Sequence, residues 1–259
     1  MEQKSISGKN NQFITDIRKL KQKKFRNRTG LFYVEGKKLF KEALNSGLCI
    51  RYIICTKNSV PEASSLQIVT VTEEAYKKIT DEQSPEGIMC VLEIPKDEIY
   101  LSYKKPVIAL CSVRDPGNVG TIIRTANALC DADMIISEDC ADIYSAKTQR
   151  AAMGAVFRQN IKTSGNIAED ISALKKNGYR IYAAYLDKCA RQILEVGFTE
   201  KTAVIFGNEG GGLDDFTANL CDEKMIIPIN PQSDSLNVSV AAGIVLWEMG
   251  KNLRLRREN

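Results

Sequence analysis

From Val107 onward the chain alternates short apolar runs with helical stretches, and few folds accommodate that pattern. The runs "VIALC", "DMIIS", "YRIYAAY", "TAVIFG" and "KMIIPI" are five to seven residues long and rich in β-branched side chains. They show little apolar/polar alternation, as expected of strands covered on both faces. Helical stretches fall at 118–129, 145–154 and 166–177, with a short one after Leu213 and a long one from Leu236. This order predicts an α/β fold with a mostly parallel sheet and helices on both faces. Ligands of such sheets bind beyond the carboxyl ends of the strands. The loop after Cys111, Gly207 and Pro228 then share one rim.

The preceding segment is a smaller α/β domain by the same reasoning. Strands are expected at 30–36, 51–56, 67–71 and 87–94, and helices at 11–27, near 37–46 and at 72–79. The stretch "PKDEIYLSYKKP" has two prolines, several charges and little periodicity. We therefore expect domains at 1–95 and 107–259 with a linker at 96–106. The net charge is only +4, but "DIRKLKQKKFRNR" (16–28) carries seven basic residues against one acid. Such a run is either a solvated helix face or an electrostatic footprint for a polyanion such as RNA.

Composition excludes several chemistries. The chain has no histidine, so it has no Ser-His-Asp or Cys-His site and no imidazole ligand for a metal. Its eight cysteines are scattered without a Cys-x-x-Cys pair, which predicts reduced, mostly buried thiols and no metal. No apolar run approaches membrane-spanning length and the N-terminus is polar, so a cytoplasmic location without membrane contact is expected.

Three segments meet at the expected rim. In "SVRDPGNVGTIIRTANAL", Asp115-Pro116-Gly117 is a turn signal and Asn118 a plausible helix cap, with Arg124 six residues on. The second segment, "FGNEGGGL", follows a strand. It lacks both the spacing of a dinucleotide fingerprint and the Gly-Lys-Ser/Thr of a phosphate loop. In "IIPINPQSDSLNVSVAAGIVLWEMG", Asp234 or Ser235 could cap a buried helix, leaving Ser235 and Asn237 near the rim. Each segment alone is explained by capping, turning or core packing.

In this order and spacing, however, the three resemble the signature motifs of the SpoU (TrmH-type) branch of the SPOUT RNA methyltransferases. The resemblance runs through "DIYSAKTQRAAMGAVF" and covers about residues 107–250. "QKKFRNRTGLFYVEGKKLFKEAL" resembles the small substrate-binding domain often fused ahead of that catalytic domain. Ala146 departs from a common proline and Gly211 from a larger residue; neither touches the implied chemistry.

The resemblance implies methyl transfer from S-adenosylmethionine to a ribose 2′-hydroxyl, a deep C-terminal trefoil knot and a homodimer. It implies that Gly207, Gly210, Ile227, Pro228 and Leu236 hold the cofactor. Asn118, Arg124, Glu209, Ser235 and Asn237 match the family's polar active-site positions. A ribose hydroxyl is a weak nucleophile, so oxygen, methyl and sulfur must be aligned and a proton helped away. Arg124 is the family-based candidate, as a base or as a clamp on the target's phosphate. Lys23, Lys24, Arg26, Arg28 and Arg150 are the expected RNA contacts. The N-terminal domain favours rRNA, 23S in particular, over tRNA. A non-catalytic RNA-binding module and a nucleotide-dependent oxidoreductase are the remaining readings; the intact polar positions oppose the first and the missing fingerprint opposes the second.

Overall fold

The computed structural model describes residues 4–6, 11–61, 66–95 and 100–257. The chain divides into two compact units, Met1–Asp97 with Asp142–Phe157, and Glu98–Ala141 with Arg158–Asn259. Residues 142–157, inside the span expected as the second domain, thus group with the first.

The first unit contains β1 (Lys4–Ile6), α1 (Gln12–Lys19), α2 (Lys23–Thr29), β2 (Leu31–Glu35), α3 (Lys37–Leu44), β3 (Ile50–Thr56), β4 (Ile68–Val71), α4 (Glu73–Ile79) and β5 (Ile88–Glu93). Its sheet has the order β1-β4-β3-β5-β2. The β2–β5 and β3–β5 pairs are antiparallel, while β4 runs parallel to β1 and β3. Alternation along the strands fills two cores. Tyr33, Ile54, Met89 and Val91 face Ile14, Ile17, Leu20 and Tyr76 from the helices. Phe32, Val34, Ile53 and Cys90 face the other way, with Leu39 and Phe40.

The single helix expected at 11–27 is two helices. Asn11 caps α1 by accepting the Phe13 N–H, and the chain is extended at Gln22 before α2 begins. Arg26 accounts for the break. It is buried, and its Nη1 donates to the Leu20 carbonyl at 2.6 Å, an oxygen that a continuous helix would use internally. Its Nη2 donates to Asp142 Oδ2 at 2.5 Å. Gly30, at φ +65°, ends α2 in the left-handed conformation that glycine adopts without strain.

The second unit contains β6 (Val107–Leu110), α5 (Pro116–Leu129) and β7 (Asp133–Ser137). The chain then gives α6 (Ala146–Ala152) to the first unit and continues with β8 (Ile161–Ser164), α7 (Ile167–Lys176), β9 (Arg180–Ala184), β10 (Arg191–Gln192), β11 (Thr202–Phe206), α8 (Asp215–Leu220), β12 (Glu223–Ile226) and α9 (Val238–Arg257). Its sheet has the order β10-β12-β9-β11-β6-β7-β8, and every neighbouring pair is parallel. β6 and β11 are buried along their whole length, the burial that uninterrupted apolar runs require. Helices α5 and α9 pack together. A Cβ on Gly250 would lie 2.2 Å from the Leu129 carbonyl oxygen, so only glycine permits that approach.

Asp142–Phe157 completes the first unit. The Tyr144 ring lies 4.7 Å from that of Phe32 between centroids, Arg150 pairs with Glu82 at 2.7 Å, and Ser145 caps α6. Removing one partner of a buried ion pair strands the other, while replacing both partners is far less costly. Arg26→Ala should therefore cost about 3 kcal/mol, and Arg26→Met with Asp142→Asn should recover most of the loss. Chemical denaturation measures both; equal losses in the single and double variants would refute this account of the pair.

Candidate functional site

The loop from β6 to α5 is fixed by its cap. Asp115, not Asn118, is the N-cap: its carboxylate accepts the Asn118 N–H at 2.9 Å and a proline occupies the first turn. The acid immediately before proline takes the capping position, which leaves the Asn118 side chain free for other partners.

The loop after β11 is closed by its own residues. Asn208 and Gly212 exchange backbone hydrogen bonds of 3.0 Å, and the Asn208 side chain accepts the N–H groups of Gly210 and Gly211. A Cβ on Gly207 would lie 2.0 Å from the Gly212 carbonyl carbon, and Gly212 has φ +70°. Glycine is thus required at Gly207 by close approach and at Gly212 by conformation. Gly210, one of the residues expected to hold the cofactor, keeps a negative φ.

Helix α9 begins two residues later than expected, and Asn237 caps it. Its Oδ1 accepts the N–H groups of Ser239 at 2.8 Å and Val240 at 3.4 Å. Asp234 and Ser235, the anticipated caps, precede it and are exposed.

Three side chains join these loops. Asn118 Nδ2 donates to Glu209 Oε1 at 2.9 Å. Asn237 Nδ2 donates to Asn118 Oδ1 at 3.1 Å. The N–H groups of Arg114 and Asp115 also point at Glu209, at 3.4 and 3.3 Å. Partial burial pushes the Glu209 pKa up, but the Asn118 amide and the backbone N–H groups outweigh it and hold the carboxyl below its ordinary range. Glu209 is thus an ionised acceptor already supplied with donors.

Beside this chain, at the carboxyl ends of β9, β11 and β12, lies a pocket of about 730 Å³. Gly207, Gly210, Ile227 and Leu236 line it, as do Glu209, Ser235 and Asn237. Pro228 is exposed, between the lining residues Ile227 and Ile229, and is not itself part of the wall. Arg124 is exposed and also lies outside the lining. Six residues rotate it by about 120° from Asn118 around α5, so the two share no helix face.

The sequence reading missed Tyr185, Leu186, Asp214 and Asp215, which also line the pocket. The Tyr185 hydroxyl donates to Asp215, and Asp214 caps α8. The carboxyl end of β9 was the available signal for the first two. The wall combines Ile, Leu and Val with three carboxylates, and none of its residues is lysine or arginine. Such a lining suits a cationic ligand with an apolar body and disfavours a nucleotide's phosphates. Among the described residues no cluster of metal-binding side chains occurs.

The basic candidates lie in the first unit. Lys23, Lys24 and Arg28 are exposed on α2, with Arg28 4.7 Å above the Phe25 ring. Arg26 is a correction: buried and committed to Leu20 and Asp142, it offers nothing to a phosphate. Arg150 is half-buried and paired with Glu82. Glu35, at the end of β2, is buried and accepts from Tyr76 and Thr80.

The model of the SpoU rRNA Methylase family matches residues 105–247, and that of the MRM3-like substrate binding domain matches 11–90. The 23S rRNA (guanosine(2553)-2'-O)-methyltransferase RlmP of Bacillus subtilis is 32% identical over 95% of this chain and 99% of its own. The AdoMet-bound rRNA methyltransferase from Sinorhizobium meliloti superposes with a TM-score of 0.87 at 30% identity, covering 96% of this chain and 98% of that one. The SpoU methyltransferase AviRb from Streptomyces viridochromogenes shares the fold, with a TM-score of 0.84 at 22% identity over 96% of this chain and 100% of its own.

The Glu209 bridge should weaken with acid. A depressed folded-state pKa gives stability that is present above the ordinary glutamate value of 4.5 and is lost as pH falls through the lower folded value. The side-chain amide resonance of Asn118 should titrate with a midpoint below 4.5, and Glu209→Gln should abolish that titration. A midpoint at or above the ordinary value would refute the bridge.

Proposed function

The chain belongs to the SpoU rRNA methylase family, and we propose that it transfers the methyl group of S-adenosylmethionine to a ribose 2′-hydroxyl of RNA, with 23S rRNA as substrate. The observation that carries this reading is the Glu209–Asn118–Asn237 chain joining three distant motifs at the pocket's edge. The substrate named for the Bacillus subtilis relative, aligned over nearly the whole of both chains, favours rRNA over tRNA.

The pocket fits the cofactor. Ile227, Leu236 and the backbone at Gly207 and Gly210 would hold it, and the carboxylate-bearing, cation-free wall complements a sulfonium charge. S-adenosylmethionine, when bound, supplies an electrophilic methyl group. Glu209 orients Asn118, which with Ser235 and Asn237 positions the ribose. Arg124 clamps the target's phosphate and polarises the hydroxyl. No described hydrogen bond or ion pair occupies its guanidinium.

Arg124 acts from a homodimer in this reading. On α9, Val240 and Trp247 are 51% and 52% exposed, with the half-buried Ile244 between them. This apolar stripe at helical spacing, on the helix that packs against α5, is the surface we assign to a second copy. A trefoil knot formed by the pocket loops, a cytoplasmic location, and a division of labour between an RNA-binding 1–95 and a methyltransferase 107–259 complete the reading. Among the described residues, no helix is long and apolar enough to cross a membrane.

With labelled S-adenosylmethionine and undermodified rRNA, the protein should label a ribose 2′-oxygen; no transfer to any RNA refutes the reading. Arg124→Ala should reduce transfer at least a thousandfold, about 4 kcal/mol, with cofactor affinity by calorimetry unchanged. A large loss of affinity would assign Arg124 to cofactor binding instead.

Replacing Lys23, Lys24 and Arg28 together with alanine should weaken RNA binding uniformly across sequences. It should also flatten the slope of log K against log salt by about two to three. An unchanged slope would remove α2 from the RNA contact.

A further inference from the structure

Arg114 stands on the loop between β6 and α5, at the edge of the site, and none of the family positions above includes it. The loop is pinned on both sides of it. The Val113 N–H donates to Cys140 Sγ at 3.3 Å and the Ala141 N–H to the Val113 carbonyl at 2.9 Å. On the other side, the Arg114 and Asp115 N–H groups are held by Glu209. The side chain begins from this fixed backbone and is exposed.

An exposed arginine beside carboxylates ordinarily pairs with one of them. Here the neighbours are committed elsewhere. Glu209 takes Asn118 Nδ2 and two backbone N–H groups. Asp115 caps α5. Asp139 accepts the hydroxyls of both Ser112 and Ser137, at 2.5 Å each. Arg114 acts on Asp139 only through its charge, helping to keep that carboxyl ionised. No described hydrogen bond or ion pair engages its guanidinium. No described contact with these carboxylates uses the guanidinium's donors, and the planar fork stays available to an external anion.

The adjoining pocket contains three carboxylates and no lysine or arginine. A polyanion whose ribose must reach the Asn118–Asn237 pair needs a compensating cation on this rim. We propose that Arg114 is a substrate-binding residue, gripping a backbone phosphate of the RNA next to the methylated ribose through its guanidinium fork. This rests on the methyltransferase reading above. Because a phosphate carries no base identity, the contact positions the strand and adds no sequence preference.

The test uses the full-length protein, undermodified 23S rRNA and an RNA of unrelated sequence. Arg114→Ala should raise KM for the rRNA about tenfold, with kcat within about twofold and S-adenosylmethionine affinity unchanged. Binding to both RNAs should weaken equally, and the salt slope should fall by about one. Arg114→Lys should restore the slope, which counts charge, while recovering only part of the affinity, which needs the fork. An unchanged KM and slope would overturn the proposal. So would a fall in kcat alone, or a loss of cofactor affinity, because either would make Arg114 part of the pocket's support. If the wild-type protein methylates no RNA, the reading above fails instead. The binding and salt measurements then decide Arg114 by themselves.

Discussion

One carboxylate organises the site. Glu209 receives the Asn118 amide and two backbone N–H groups, and Asn118 passes the connection to Asn237. Three loops separated by some ninety and a hundred and twenty residues are thereby locked at one edge of the parallel sheet. Two of the three participants are available because another residue does their local work. Asp115 caps α5 and frees Asn118, while Asn208 closes the glycine loop and leaves Glu209 outward. Asn237 does both jobs, its oxygen capping α9 and its nitrogen reaching Asn118. A charged acceptor with three donors forms stronger hydrogen bonds than a neutral one would, which suits a site that must keep its geometry while a large substrate docks.

A similar economy governs the first unit. Arg26 lies in the most basic stretch of the chain, yet its guanidinium is spent inside, ending one helix at Leu20 and tying α2 to Asp142. Its neighbours Lys23, Lys24 and Arg28 remain outside. The inward residue gives the outward ones a rigid base. Buried arginine requires this double engagement, since an unpaired guanidinium would carry a heavy desolvation cost.

Much of the architecture was legible because periodicity follows directly from burial. Apolar runs without alternation marked β6 and β11, and both are buried along their full length. The rule that ligands sit at strand carboxyl ends pointed to the loop after Cys111, to Gly207 and to Pro228, and the pocket is lined by Gly207 and by Ile227 and Ile229 on either side of Pro228. The errors were local and had a common source. Asn118 and Asp115 are both good caps, and only geometry chose between them; the same holds for Ser235 and Asn237. Arg26 could not be told from its neighbours because charge in a sequence does not reveal which way a side chain points. Tyr185 and Asp215 gave no motif, since their place in the pocket comes from β9 and α8 converging in space.

The sequence by itself determined the alternation of strands and helices, the absence of imidazole chemistry and the three motifs with their polar residues. Those properties depend on composition and on neighbours a few positions apart. Tertiary structure alone decided that Asp142–Phe157 completes the first sheet's core and that Arg26 faces inward. It also decided that Arg124 falls outside the lining of its own chain's pocket, and that Glu209, Asn118 and Asn237 touch. Contacts across ninety or more residues depend on strand order and loop direction, which hydrophobic periodicity does not encode.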